Sequence, residues 1–230
     1  MVEVVSDQEQ ALSHIDTSNQ YINHIMRTIL TVALILTSAW VMGQIKVQPV
    51  PGKNLPKGVS YKGKPVQAVK FQDNAGNYLA LTTQTGEQAQ KGNDGFNEAH
   101  LYGYLYQLKN GGAPALLWQL HDMVTDCNLD MVAEFIPGSL AVTDLDKNGK
   151  AEVWVAYRLS CRGDISPSDL KIIMHEGTTK YAQRGIGKIK VGKSVQHDGG
   201  EITSNDFKNA PVSFKQYAGK LWNKYVLETM

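Results

Sequence analysis

The chain has 230 residues, of which 23 are Lys or Arg and 22 are Asp or Glu, and hydrophobic residues make up 42% of it. This ordinary globular composition excludes a disordered or collagen-like chain, and the length fits one domain or at most two small ones. The formal net charge of +1 argues against a nucleic-acid-binding protein, which normally carries a basic excess.

The N-terminal region has the organisation of an export signal. Residues 1–25 contain four acidic residues and no basic one, and Arg27 then precedes the uncharged, mostly apolar residues 28–42. A short basic start, an apolar run and a small-residue exit predict a signal peptide at residues 26–43, which makes residues 1–25 an upstream extension or a mis-assigned start. An uncleaved membrane anchor is the alternative, although the apolar run is shorter than the ~20 residues that span a membrane. We therefore expect an exported protein with no stable membrane span after cleavage.

The two cysteines of the predicted mature chain, Cys127 and Cys161, are expected to pair, because an exported protein folds in an oxidising compartment. Closing the loop between them would contribute ~3–4 kcal/mol in the chain-entropy model. Two buried free thiols are the alternative. Neither cysteine belongs to a CxxC motif, which argues against a redox enzyme.

Residues 44–65 are rich in Pro, Gly and Lys, which predicts an extended segment rather than packed structure. Residues 66–230 predict a single β-rich domain, because β-branched and aromatic runs alternate with turns of Asn, Asp and Gly. The predicted hairpins pair residues 66–71 with 78–82, 101–108 with 115–120, 140–145 with 151–157, and 170–175 with 180–183. The predicted fold class is therefore mainly β, an antiparallel hairpin meander that is either propeller-like or a sandwich.

The end of the chain predicts an amphipathic helix at residues 213–227. Its apolar positions recur at helical spacing with lysines between them, at Phe214, Tyr217, Ala218, Leu221, Trp222, Tyr225 and Val226. We expect this face to pack across the sheet as core, and a membrane-surface helix is the alternative. The preceding residues 186–210 are polar and Gly-rich, which predicts a long loop.

Residues 187–194 match the phosphate-loop pattern GxxxxGK[ST]. That pattern binds phosphate only between a buried strand and a helix whose N-terminal amides face the phosphate. Here the variable positions, Lys-Ile-Lys-Val, alternate like a strand, and no helical face follows them. We therefore expect no nucleotide binding.

Aromatic residues on one predicted strand are candidates for ligand contact. Tyr102, Tyr104 and Tyr106 alternate along the chain, so they share one face of the strand. Together with Trp118 they are predicted as a ligand platform on which sugars stack. Half-buried core is the alternative for the same residues.

Carboxylates and histidines give weaker signals. A polar strand face is the plain interpretation of Asp122, Asp126, Asp130 and Glu134, and a glycosidase-like acid–base pair is the alternative. The spacing of the histidines matches no metal-binding motif, and a zinc site would need ligands that converge from separate strands. These histidines are His100, His121, His175 and His197.

The strongest site signal is the segment 144–152, Asp-Leu-Asp-Lys-Asn-Gly-Lys-Ala-Glu. Oxygen-bearing side chains at its positions 1, 3, 5 and 9, with a glycine at position 6 for the sharp bend, can wrap a hard cation such as calcium. The twelfth position is Val155 and not Glu, so the segment is not an EF-hand. A plain hairpin turn is the alternative. The predicted metal residues are Asp144, Asp146, Asn148, Lys150 and Glu152.

Residues 141–153 resemble the calcium loop of FG-GAP repeats, which lies between propeller strands. Read together with residues 126–130, 160–164 and 171–182, this segment belongs to an order of motifs that spans residues 115–185. That order looks like an exported family of Gram-negative bacteria whose members are labelled as surface polysaccharide biosynthesis proteins. The resemblance implies a periplasmic or cell-surface location and an envelope role, and it carries over no catalytic residue.

Two functions are compatible with these patterns. The first is an exported, non-catalytic envelope protein that binds a glycan or another envelope component and is steadied by calcium and a disulfide. The alternative is an envelope enzyme that acts on polysaccharide through paired carboxylates in residues 122–134. No catalytic spacing stands out from the sequence, which favours the first function.

Overall fold

The computed structural model describes residues 45–195 and 199–229 of the chain. The predicted upstream extension and signal peptide, residues 1–25 and 26–43, lie outside the described residues. The described residues belong to one unit, Gln44–Met230, so the segment 44–65 is part of the same unit as the predicted domain.

The first sheet is antiparallel and is built from the N-terminal half of the described chain. Its strands are β1 (Val47–Pro49), β2 (Lys64–Asp73), β3 (Gly76–Gln84), β4 (Gln88–Ala89), β5 (Asn97–Leu108) and β6 (Ala115–Cys127). The order runs β1-β2-β3-β5, with β4 beside the start of β5 and β6 along the other side of β5. The two predicted hairpins of this region are β2–β3 and β5–β6, both longer than the sequence pattern indicated.

The C-terminal half supplies the second sheet, a small third sheet and one long helix. In chain order the elements are β7 (Asp130–Phe135), β8 (Ala141–Thr143), β9 (Glu152–Arg162), β10 (Asp169–Glu176), β11 (Thr179–Ile186), β12 (Lys188–Val191), β13 (Ser194–Val195), β14 (Ile202–Asn205), α1 (Val212–Tyr225) and β15 (Leu227–Thr229). The second sheet has the order β14-β11-β10-β9-β7, with β8 also paired to β9. The third sheet joins β13, β12 and β15, and its β12–β15 pair is parallel.

The two large sheets pack face to face around one shared core. The first sheet contributes Phe71, Leu101, Leu105 and Leu120, and the second contributes Val153, Val155, Leu159 and Ile173. Two antiparallel sheets that bury their inner faces against each other form a sandwich. The prediction of a mainly β, antiparallel fold is confirmed, and of its two forms the structure has the sandwich.

Helix α1 covers the outer face of the second sheet. Trp154, Ile172 and Met174 pack there against Phe214 and Trp222 of the helix. Strand β9 is therefore buried on both faces, which explains why its sequence is nearly continuous in apolar residues. The predicted C-terminal helix and its packing as core are confirmed.

The helix ends two residues earlier than the predicted limit of 227. Its last turn is followed by β15, and Arg158 holds this junction, because its Nη2 donates hydrogen bonds to the carbonyl oxygens of Tyr225 at 2.5 Å and Leu227 at 3.2 Å. Glu228 of β15 in turn pairs with Arg162 at 2.8 Å. The sequence pattern could not show this, because the capping arginine lies 67 residues away along the chain.

The segment 44–65 packs against the first sheet, which corrects the expectation of an unpacked extension. Val50, Leu55 and Val59 lie against the outer face of that sheet and cover its tyrosines. The segment also carries β1, a short 3-10 helix at Gly52–Asn54 and the first residues of β2. Its apolar residues are spaced between prolines and glycines. Because prolines and glycines are typical of unpacked segments, the sequence pattern did not predict this packing.

The region 186–210 is also more structured than the predicted long loop. It contains β12, β13 and β14, followed by a 3-10 helix at Asp206–Asn209. The phosphate-loop pattern at 187–194 corresponds to β12, a turn at Gly192 and β13, as the alternating residues of that pattern indicated.

Candidate functional site

Three of the predicted metal residues converge in the loop between β8 and β9. Asp144, Asp146 and Glu152 each offer a carboxylate oxygen, and these three oxygens lie within 4.8 Å of one another. The chain reverses between them through Lys147 at φ 60° and Gly149 at φ 80°. The left-handed backbone of these two residues turns the carboxylates toward one point, which is the arrangement that a hard cation requires.

Glu152 forms the base of this cluster and is fully buried, with 0% of its surface exposed. The hydroxyl of Thr143 donates to its carboxylate at 2.5 Å, and the backbone N–H of Leu145 donates at 2.9 and 3.1 Å. Burial raises the pKa of Glu152, and the nearby charges of Asp146 and Asp144 raise it further, although both hydrogen bonds act in the opposite direction. Without a cation, a negative charge here is therefore costly.

Asp144 leaves one oxygen without a partner. Its Oδ2 accepts a hydrogen bond from the backbone N–H of Gly149 at 3.2 Å. Its Oδ1 is buried and has no hydrogen-bond partner among the described residues. A buried carboxylate oxygen without a donor is destabilising, so this atom fits a metal ligand better than a purely structural group.

The remaining predicted residues, Asn148 and Lys150, stabilise the turn. The side-chain amide of Asn148 donates to Asp146 Oδ2 at 3.0 Å and to Glu176 of β10 at 2.6 Å, and its Oδ1 accepts from the backbone N–H of Lys150 at 2.8 Å. Lys150 thus contributes its backbone N–H, while its exposed side chain is unsuited to bind a cation. Glu176 could not be predicted from the sequence as a contact of this loop, because it belongs to another hairpin.

The loop is joined to the first sheet through the turn between β2 and β3. The backbone N–H of Asn74 donates to the carbonyl oxygen of Gly149 at 3.0 Å, and the N–H of Ala151 donates to Asp73 Oδ2 at 3.1 Å. A Cβ atom at Gly149 would lie 1.8 Å from the Asn74 side-chain nitrogen. The acidic loop therefore connects the two sheets at this end of the sandwich.

A disulfide connects the two sheets at the other end of β9. The sulfurs of Cys127, at the end of β6, and Cys161, near the end of β9, are 2.10 Å apart. The predicted pairing of these residues is confirmed, and neither is free.

The aromatic residues predicted as a ligand platform do not share an open face. Tyr102, Tyr104 and Tyr106 are only 5%, 3% and 3% exposed, because residues 50–62 cover them. The backbone N–H of Lys62 donates to the Tyr104 hydroxyl at 3.0 Å, and the Tyr106 hydroxyl donates to a carbonyl oxygen of the same segment. Trp118 packs against the core between the sheets and stacks on His175 at 4.2 Å.

The predicted acid–base carboxylates point in different directions. Asp122 lies between the sheets, where it accepts a hydrogen bond from Tyr157 at 2.9 Å and pairs with Lys171 at 2.7 Å. Burial and this carboxylate raise the pKa of Tyr157, so its hydroxyl stays a hydrogen-bond donor. Asp126 accepts from the side chains of Gln90 and Asn93 at the end of β6. Asp122 and Asp126 therefore have separate partners and do not make one catalytic pair.

A groove opens where β7 passes the first sheet. It has a volume of about 220 Å³ and is lined by Gln84, Gly86, Glu87, Ala99, Met131, Val132, Ala133 and Glu134. Gln84 contributes a side-chain oxygen that is buried and has no hydrogen-bond partner among the described residues. The sequence could not reveal this groove, because its two sides come from segments about 45 residues apart.

Two of the four histidines considered above lie close together. His100 of β5 and His121 of β6 place ring nitrogens 3.1 Å apart. His175 is buried beside Trp118, and its burial lowers its pKa to about 4. His197 lies outside the described residues.

Comparison of the chain with models of known protein families, with curated proteins and with solved structures gave no match. The class of protein is therefore defined by the structure itself, a disulfide-linked β-sandwich with an acidic loop that can hold a metal ion. Within residues 45–195 and 199–229, no helix has the length and apolar character needed to cross a membrane.

Proposed function

We propose that this protein is an exported, non-catalytic binding domain of the bacterial cell envelope, whose loop 144–152 binds calcium. Two observations carry the calcium proposal: three carboxylates converge in the loop, and one of them, Asp144, has a buried Oδ1 without a hydrogen-bond partner among the described residues. A divalent cation bound among these carboxylates would neutralise their mutual repulsion and reverse the cost of the buried Glu152 charge.

The ligand chemistry favours calcium over softer metals. Carboxylate oxygens supply every acidic ligand of the loop, and neither thiolate nor imidazole takes part. Calcium accepts six to eight oxygen ligands in irregular geometry, so the three carboxylates, backbone carbonyls and water can complete its shell. Magnesium requires a stricter octahedral geometry and keeps more of its bound water. An open loop is therefore less selective for magnesium than for calcium.

The position of the loop gives the cation a structural role. Gly149 and Ala151 are hydrogen-bonded to the β2–β3 turn, so a cation that orders this loop also fixes one end of the first sheet against the second. Binding only to the native state raises its stability by RT ln(1 + [L]/Kd). Calcium would therefore stabilise the domain in an environment where calcium is abundant.

The groove between residues 84–87 and β7 is the binding surface that best fits a glycan. The side-chain oxygens of Gln84, Glu87 and Glu134 can accept hydrogen bonds from sugar hydroxyls, and Met131 and Ala133 offer apolar surface to the C–H face of a ring. The volume of about 220 Å³ is below the ~300 Å³ typical of larger ligand pockets, which suits a single sugar residue of a longer chain.

The envelope location is supported by the export signal, by the order of motifs across residues 115–185 and by the disulfide. A disulfide between Cys127 and Cys161 persists in the oxidising periplasm or at the cell surface and not in a reducing cytosol. In envelope fractions the mature protein should begin at or near Gln44, and recovery of peptides from residues 1–25 would contradict this part of the proposal.

Isothermal titration of the chelator-treated protein with calcium tests the metal part. We expect one calcium per chain, with affinity lowered at least roughly tenfold in Asp146→Asn because a ligand charge is lost. Asp94→Asn, an exposed aspartate in another turn, is the matched control and should bind as the wild type does. Equal calcium binding by the wild type and Asp146→Asn would contradict the assignment.

Equilibrium binding to a panel of surface polysaccharides and their oligosaccharides tests the glycan part separately. Glu87→Ala and Glu134→Ala should weaken binding without changing calcium affinity, because the groove lies outside the acidic loop. A calcium-binding protein that binds no member of the panel would contradict the glycan proposal alone.

A further inference from the structure

The outer face of the first sheet holds a pair of histidines that the function proposed above does not use. His100 Nδ1 and His121 Nε2 face each other at 3.1 Å. The residues come from neighbouring strands, where Tyr102 is the register partner of His121, so the two histidines are diagonal neighbours. Diagonal side chains on adjacent strands meet only when both rings turn toward each other.

The carboxylate of Glu98 lies next to His100, on the side of the ring that faces away from His121. Glu98 Oε1 lies 3.5 Å from His100 Nε2, the ring nitrogen that faces away from His121. The side chain of Gln88 donates to the same oxygen at 3.2 Å and orients it. A proton on Nε2 is therefore favoured, which leaves the lone pair of His100 Nδ1 directed at His121. Metal-binding histidines are oriented in the same way, through a carboxylate on the second ring nitrogen.

The second ring is also held in place. His121 stacks on Tyr102 with ring centroids 4.6 Å apart and planes inclined by 6°, while the rings of His100 and His121 are inclined by 23°. Burial lowers the pKa of His121, and the charges of His100 and Lys62 lower it further against an opposing effect of Asp122. The stacking on Tyr102 fixes the plane of the His121 ring, so its Nε2 stays directed at His100 Nδ1.

We propose that His100 and His121 form a second metal site, which binds a borderline divalent cation such as zinc, nickel or copper. Two nitrogens that bind zinc tetrahedrally with bonds of ~2.0–2.1 Å lie about 3.3 Å apart, close to the observed 3.1 Å. In the metal-free protein one ring donates an N–H to the other. The metal takes the place of that proton, which moves to Nδ1 of His121, and water completes the coordination sphere.

The charges around the pair permit a cation. Glu98 favours it, whereas the ammonium of Lys62, which lies 5.8 Å from the centre of the Tyr102 ring, opposes it. Asp122 belongs to the same strand as His121 but forms its ion pair with Lys171 between the sheets. This site is chemically distinct from the acidic loop, because imidazole nitrogen prefers zinc, nickel and copper and carboxylate oxygen prefers calcium.

Titration of the full chain with zinc, in buffer that contains enough calcium to saturate the acidic loop, tests the proposal. We expect one zinc per chain, with affinity lowered at least roughly tenfold in His121→Gln and in His100→Gln. Glu98→Gln should lower it about tenfold by releasing His100 from its orientation. Gln119→Ala, a change at an exposed residue on the same strand as His121, is the matched control and should leave zinc binding unchanged.

A second measurement separates metal binding from a simple histidine–histidine hydrogen bond and does not depend on any variant folding. In ¹⁵N-labelled wild-type protein, zinc should shift the imidazole signals of His100 and His121 and leave those of His175 unchanged. Unshifted signals, or zinc binding that survives His121→Gln and is lost in Asp146→Asn, would overturn the proposal, because the metal would then occupy the acidic loop.

Discussion

The two ends of the sandwich are held together in different ways. At one end, the acidic loop 144–152 carries three clustered carboxylates and is joined to the β2–β3 turn by two hydrogen bonds, from the Asn74 N–H to the Gly149 carbonyl oxygen and from the Ala151 N–H to the Asp73 carboxylate. At the other end, about 30 Å away along β9, a covalent bond joins Cys127 to Cys161. The first connection is one that a bound cation would strengthen, whereas the second depends on the redox environment.

Because of this difference, the two connections are expected to respond to different changes in solution conditions. A disulfide acts mainly on the unfolded chain and is insensitive to calcium and moderate pH. A carboxylate loop acts on the native state and strengthens only when its cation is present. Perturbations of the two ends should therefore be independent of each other, since residues this far apart with no shared partners usually contribute additively to stability.

Removal of the disulfide should have the largest effect. The double variant Cys127→Ala/Cys161→Ala releases a connection between residues 34 apart, which in the chain-entropy model costs ~3–4 kcal/mol of unfolding free energy. Denaturant unfolding measures this loss, and reduction of the wild type should reproduce it. The calcium-dependent increment should stay unchanged in the variant. Loss of that increment would show that the two ends are coupled.

A methyl group at Gly149 should destabilise the protein at the end of the sandwich that carries the acidic loop. Gly149→Ala forces a side chain into a left-handed backbone position and against Asn74, so we expect a loss of about 2–4 kcal/mol. Gly177→Ala is the matched control, because its φ is also positive at 55° but nothing lies within 4 Å of the added methyl. The control should lose about 1 kcal/mol. If Gly149→Ala and Gly177→Ala lose the same unfolding free energy in denaturant, the contact of the added methyl group with Asn74 does not contribute to the loss.

Calcium should stabilise the intact loop by a somewhat smaller amount. At a hundredfold excess over Kd the gain is about 2.7 kcal/mol, which a shift of the melting temperature reports. At the same calcium concentration, Asp146→Asn should reduce the gain by at least about 1.3 kcal/mol, because its affinity is at least roughly tenfold lower, and it should leave the calcium-free protein folded, because this carboxylate is exposed. A melting temperature that does not differ between calcium and chelator would favour the plain hairpin turn instead.

The smallest effect should come from His175, which lies near the acidic-loop end of the sandwich, where it is paired with Val153 of β9 and stacked on Trp118. Burial, aided by the charge of Lys180, lowers the pKa of His175 to about 4 from an ordinary value near 6.5. Between these values the unfolded chain binds more protons, so stability falls as the pH is lowered from about 6.5 to 4. His175→Gln should reduce this loss between pH 7 and pH 5 in chelator-containing buffer. An unchanged pH dependence of the unfolding free energy would contradict the burial argument.

The local features of the fold could be predicted from the sequence, and the features that depend on distant contacts could not. The turns at Asn74-Ala75-Gly76 and Asn148-Gly149 identify hairpins, because their residues tolerate the required backbone. The acidic loop is a single stretch of chain, so its carboxylates could be assigned from spacing. Helix α1 was likewise visible in its periodic apolar face.

The remaining features arise from residues that strand pairing brings together. The spacing of His100 and His121 carries no signal, because only the pairing of β5 with β6 places them side by side. The tyrosines on β5 were predicted as a platform because an alternating pattern does not show whether another segment covers it. The segment 44–65 covers them with three apolar residues that its many prolines, glycines and lysines obscure in the sequence.

Calcium binding by the acidic loop can be tested by a crystal structure of the protein grown in calcium, with anomalous scattering data. We expect an anomalous peak at ~2.3–2.6 Å from carboxylate oxygens of Asp144, Asp146 and Glu152, with Asp144 Oδ1 as a ligand. A loop without such a peak at saturating calcium, in which Asp144 Oδ1 still has no partner, would contradict it.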